Sequence, residues 1–138
     1  MVHGEEISIQ TKGYSDIRDI TSLVNTVVQR SGIKHGIVTV HVIGSTASIS
    51  TTEFEPALNA DLRDQIDKLV PSSLQSRHSR TWGDDNGFSH IRATLLGPSM
   101  TVPLSNGSLV LGTWQQIIVI DHDNRPRSRK VFVQVLGE

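Results

Sequence analysis

Between His78 and His90 the chain reads HSRTWGDDNGFSH, which places two histidines, two aspartates and an asparagine within thirteen residues. Near neutral pH an imidazole can ligate a metal, act as a general acid or base, or donate to an anion. A carboxylate beside it can share the metal or orient the ring. His78, His90 and Asp85 are therefore candidates both for catalysis and for holding a divalent cation such as Zn or Mg. Asn86 is a candidate ligand contact. The plainer reading makes the histidines loop residues that hydrogen-bond the backbone, and Asp85-Asn86-Gly87 a turn. Crowding favours the site for the histidines and leaves the two readings of Asp85 balanced. Asp84 reads as solvated.

A second segment, GSTASISTTEFEP from Gly44 to Pro56, ends its strand pattern on Glu53. That carboxylate could serve as a base, or be a strand-end charge. Ser45 and Thr46 offer hydroxyls and backbone N–H groups to a phosphate, or simply begin a polar strand. Arg127 and Arg129 could clamp phosphate bidentately, although charge at a hairpin edge is the preferred reading. Trp114 reads as a core or interface residue, whereas His35 and His122 sit beside turn signals and read as incidental.

These residues need a scaffold. Ile7 and Ile9 begin a strand pattern. Helical spacing of Ile17, Ile20, Leu23, Val24, Val27 and Val28 predicts a first helix, with Asp16 as N-cap and Gly32 as stop. Ile37–Ile43 and Ser45–Glu53 read as strands. A second helix is expected over Ala57–Val70, with Leu58, Leu62, Ile66 and Leu69 on one stripe and Pro71 ending it. Ile91–Leu96, Met100–Leu104, Thr113–Asp121 and Ser128–Leu136 all read as strands, and Asn106-Gly107 as a tight turn. Strands apolar on both faces need two covers, and two helices are few. The expected fold is an α+β sandwich of mostly antiparallel sheet, completed by a second layer or a neighbouring subunit.

With 138 residues the chain fits one domain, 1–138. A net charge of −1 gives no reason to expect nucleic acid or an anionic membrane as partner. No apolar run approaches the ~18 residues of a membrane span, and MVHGEEISIQ lacks the features of a signal peptide, so the cytoplasm is the expected location. The absence of cysteine excludes disulfides and thiolate chemistry.

Several motifs carry a resemblance. GSTASISTTEFEP, DDNGFSH (Asp84–His90), LLGPSMTVPL (Leu95–Leu104), LGTWQQIIVIDHD (Leu111–Asp123) and RSRKVFVQVLGE (Arg127–Glu138) resemble the YjbQ family, often labelled a secondary thiamine-phosphate synthase. The resemblance runs in order along nearly the whole chain. It implies a mixed-sheet α+β fold, a homotrimer, a histidine-bearing cleft at a subunit boundary, and a thiamine-phosphate-synthase-like transferase activity. One departure stands out: many bacterial members have His-Thr-Ser-Ala-Ser where this chain has Gly44-Ser45-Thr46-Ala47-Ser48, a form that resembles an archaeal branch. One imidazole of the family's cluster is thus missing, which weakens the expectation of a metal. The alternatives to the transferase are a non-catalytic trimer that binds a small anion or metal, and a metal-assisted hydrolase.

Overall fold

The valine-rich stretch around Val38, Val40 and Val42 becomes the middle strand of the larger of two sheets in a computed structural model that describes residues 1–138. In chain order the elements are β1 (Val2–Thr11), β2 (Asp16–Asp19), α1 (Thr21–Ser31), β3 (Gly36–Ile43), β4 (Ala47–Glu53), α2 (Pro56–Leu69), α3 (Arg77–Trp82), α4 (Gly87–Leu96), β5 (Ser99–Ser105), β6 (Ser108–Leu109), β7 (Gln115–Asp121) and β8 (Arg127–Gly137). The five-stranded sheet runs β1-β8-β3-β5-β6 and the three-stranded sheet β2-β7-β4, with every pairing antiparallel. The fold is α+β.

The second sheet layer supplies the cover that the two-faced strands require. Ile117 and Val119 of β7 face the main core, together with Val38, Val40, Val42, Val131, Val133 and Val135 of the large sheet and Val24, Val27 and Val28 of α1. Ile118 and Ile120 point the other way and join Ile17, against Leu62 of α2. The alternation in β7 thus serves two layers at once. Each fully buried valine or isoleucine contributes about 1.5–3 kcal/mol before ordering costs.

Three expectations need correction. The first helix begins at Thr21, not Ile17. Asp16–Asp19 instead forms β2, pairing Ile17 with Ile120. Asp16 is no N-cap; Asp19 Oδ1 receives the Thr21 N–H at 2.9 Å, and Gly32 does end the helix with φ 69°. Second, Ile91–Leu96 is not a strand but the last part of α4. A short apolar run fits either state by periodicity, and here Phe88, Arg92 and Ala93 face inward while Ile91 and Leu95 face out. Third, Arg127 and Arg129 do not stand at a hairpin edge, because Asn124–Pro126 joins no two neighbouring strands. That segment carries the chain from the small sheet to the large one. Helix α3 had no sequence signal beyond its Ser76 cap, which accepts from Ser79 N at 3.0 Å.

Candidate functional site

Helix α4 fixes the histidine cluster. Its inner face is anchored by buried Phe88, whose ring stacks on Tyr14 at 6.0 Å and lies 4.9 Å from the Arg92 guanidinium. Arg92 donates to Val70 O, Asp67 Oδ1 and Ser15 Oγ. With that face locked, His90 must project from the other side, and its orientation comes from helix packing, not from a sheet ladder. Helix α3 brings His78 to it: the two rings meet edge to face, with centroids 4.6 Å apart and planes at 62°.

The carboxylate beside this pair belongs to Asp84, not Asp85. Asp84 Oδ2 lies 3.4 Å from His78 Nε2. Asp85 is exposed with φ 56°, a turn conformation. A cavity of about 630 Å³ opens here, lined by Ser76, Arg77, His78, Arg80, Gly87 and His90 among others. Two imidazoles and one carboxylate approach each other, but no three His, Asp or Glu side chains surround a common point. The three side chains therefore do not converge as the three protein ligands of a catalytic zinc must.

Behind the cleft lies a buried polar centre at the end of β7, where Asp121, His122 and Asp123 are all fully buried. Asp121 accepts from Arg129 Nε at 2.6 Å and Nη2 at 2.8 Å, and from the Thr11 hydroxyl. Asp123 accepts from Arg127 Nε at 2.8 Å and the Thr46 hydroxyl at 3.2 Å. The Asn86 side-chain amide lies between this centre and the cleft: its NH2 donates to Asp123 Oδ1 at 3.3 Å or, with the amide turned over, to Asp84 Oδ1 at 3.0 Å. Burial pushes both aspartates up. For Asp121 the bonds from Arg129 and Thr11 outweigh burial, and for Asp123 those from Asn124 N–H, Arg127 and Asn86 do, so both stay below the usual carboxylate range.

His122 is the residue that sequence reasoning missed most completely. Its Nδ1 lies 2.6 Å from Ser15 Oγ and its Nε2 3.1 Å from Ser48 Oγ. Arg92 Nη1 already donates to Ser15 Oγ at 3.0 Å. Both ring nitrogens are satisfied if Ser15 O–H donates to Nδ1 and Nε2–H donates to Ser48. Protonating the ring would leave the Ser15 proton without an acceptor. Burial, with the nearby Arg92 charge, holds the pKa down to about 3, so His122 is neutral.

The other candidates fall elsewhere. Glu53 is exposed at the end of β4, opposite Gln115, and hydrogen-bonds neither imidazole. Thr46 is buried in the polar centre, and Ser45 is exposed beside it. Arg129 is a buried ion-pair partner, not an edge charge, and Arg127 is half tied down by Asp123. Trp114 is not a core residue, being 71% exposed. Gly44 has φ 137°, a conformation that strains any side chain.

The comparisons agree with this architecture. The model of the family described as "UPF0047 protein YjbQ-like" matches residues 5–138. A UPF0047 protein of Methanothermobacter thermautotrophicus is 39% identical over 99% of this chain and 94% of its own length. One from Synechocystis is 38% identical over 99% of this chain and 92% of its own. Among solved structures, a YbjQ-like protein of unknown function from Sulfolobus solfataricus superposes with a TM-score of 0.93 at 36% identity, covering 100% of this chain and 99% of that one. No helix is long and apolar enough to cross a membrane. By its sequence, its fold and the order of its motifs, the chain belongs to the YjbQ-like UPF0047 family.

Proposed function

We propose that the protein binds a small phosphorylated molecule in the His78–His90 cleft and that the imidazole pair moves a proton during a group-transfer reaction. The observation that carries this reading is the edge-to-face contact of the two rings on one cavity wall, with Arg77 and Arg80 on the same cavity. Its volume of about 630 Å³ suits a small organic ligand. Guanidinium groups would hold the anionic part, and Asp84 would orient His78. The family resemblance implies the transfer: a pyrimidine diphosphate joined to a thiazole phosphate with release of pyrophosphate, as in a thiamine-phosphate-synthase-like reaction. In that scheme the thiazole nitrogen forms the new C–N bond as the C–O bond to pyrophosphate breaks; that nitrogen has no proton to lose, so protonated His90 gives a proton to the leaving pyrophosphate while Arg77 and Arg80 stabilise its charge.

A specific observation favours a second reading, non-catalytic anion binding. His78 and Asp84 keep 38% and 44% of their side-chain surface exposed, and no element closes over the cleft to exclude water. Thermal melting with pyrophosphate, thiamine monophosphate, Mg²⁺ and Zn²⁺ tests the shared claim. A phosphorylated ligand at about 100-fold its Kd should raise Tm on the order of 10 °C. No shift with either phosphate would count against both readings.

We also infer a homotrimer. The outer face of the large sheet carries exposed Ile37, Ile43 and Leu136, and no layer of the chain covers it. Such a face is a candidate for burial against other subunits. Light scattering at micromolar concentration should give three times the chain mass, and a monomer mass would refute the inference.

A further inference from the structure

The side chain of Arg129 is 8% exposed. Its Nε and Nη2 are spent on Asp121 and Thr46. Its Nη1 has no acceptor within the chain. Asn59 Oδ1 is the one sealed side-chain N or O atom without a partner, so Arg129 Nη1 keeps contact with solvent. It does so through Gly44: a Cβ built on Gly44 would sit 3.1 Å from Nη1 and touch nothing else. The missing side chain leaves a window over a buried guanidinium.

The turn around that window is rich in unused donors. The backbone N–H groups of Gly44, Ser45 and Thr46 donate to no acceptor within the chain. The Ser45 side chain is exposed beside them. The turn is nevertheless held firmly. Thr46 O accepts from His122 N at 2.9 Å, and on either side Val42 N and Ile49 N donate to Pro98 O and Gly97 O. A cavity of about 290 Å³ lies against it, lined by Gly44, Ser45, Ala47, Ala93, Thr94 and Pro98.

We propose that the Gly44–Thr46 turn, backed by Arg129 Nη1, is a binding site for a phosphate group. Successive free backbone N–H groups beside a guanidinium form the donor set that a tetrahedral oxyanion requires. Asp121 and Asp123 balance Arg127 and Arg129 in number, so the site works through aimed N–H groups and not through net charge. The surface cavity leaves room for the rest of a phosphomonoester. This site is distinct from the His78–His90 cleft. The two cavities have no lining residue in common; they adjoin at helix α4, where Thr94 follows His90 by one turn, and through Asn86 behind it.

An amide NMR titration of the full chain tests the proposal, using inorganic phosphate, glycerol phosphate and acetate as probes. Phosphate should cause saturable shifts at the Gly44, Ser45 and Thr46 amides, unchanged in His90→Ala. Glycerol phosphate reproducing them identifies a phosphorylated organic molecule as the occupant. Phosphate alone doing so identifies the free ion. Arg129→Lys, which keeps a cation beside Asp121 but removes Nη1, should lower the affinity at least tenfold. Should Arg129→Lys not fold, Ser45→Ala should weaken binding severalfold. Unmoved Gly44–Thr46 amides, equal shifts with acetate, or shifts that vanish in His90→Ala would overturn the proposal. Loss of ligand binding at His78 and His90 alone would leave it standing.

Discussion

Acidification from pH 6.5 to 5 should destabilise the wild-type protein markedly more than the His122→Gln variant. The cause is the buried, neutral imidazole. In the folded chain His122 has its pKa pushed down to about 3, whereas unfolded it titrates near 6.5. Below 6.5 the unfolded chain therefore takes up a proton that the folded chain refuses. Stability from this group is complete above pH 6.5 and falls as the pH drops toward 3. At about 1.36 kcal/mol per pKa unit, the full loss is ~5 kcal/mol. A small domain has only about 5–15 kcal/mol in total, so His122 alone would make the fold acid-labile. Asp121 and Asp123 act lower. Their depressed folded pKa values mean that their contribution is complete above about 3.8 and is lost as the pH falls through the folded values. Urea unfolding at pH 7, 6 and 5 separates the two windows. The wild type should lose about 1–2 kcal/mol over that range, and His122→Gln, which cannot take the proton, should lose much less. Parallel slopes would show that His122 does not set the acid limb.

Most strands and both long helices were legible because their apolar spacing is enforced by burial; β2, four residues long, was not, because its Ile17 also fits the helical spacing of the residues that follow. Val38, Val40 and Val42 alternate because only one face of β3 meets the core. The polar centre was not legible for the opposite reason. Asp121, His122, Asp123, Arg127 and Arg129 are ordinary turn-flanking residues until the chain crosses from one sheet to the other and brings them together. Pairing at that distance leaves no periodicity. One signal was available: Asp121 and Asp123, like Arg127 and Arg129, are spaced by two, which puts each pair on one face of an extended chain. The histidine cleft was half legible. Crowding between His78 and His90 pointed to the pair, but the apolar run after His90 read as strand when it is helix. The carboxylate partner turned out to be Asp84 because Asp85 takes the left-handed turn position.

Replacing His90 should cost more activity than any other single change on the surface of this protein. Its neighbours Ser89, Arg92 and Ala93 are locked inside, so the ring is presented to the cleft from a rigid helix. Removing a positioned acid–base group lowers a rate by about 10²–10⁴-fold, equivalent to roughly 3–5 kcal/mol in the barrier. His90 is half-buried and makes no bond that holds the core, so the fold should survive the change. His35, whose exposed side chain accepts only from Asn106 N–H at 3.5 Å, serves as the control. The direct test is the rate of thiamine-phosphate formation from the pyrimidine diphosphate and the thiazole phosphate, measured for wild type, His90→Ala and His35→Ala. The account predicts turnover in the wild type and in His35→Ala, and a loss of at least 10²-fold in His90→Ala at unchanged melting temperature. Equal rates in wild type and His90→Ala, or no turnover by the wild type, would contradict it.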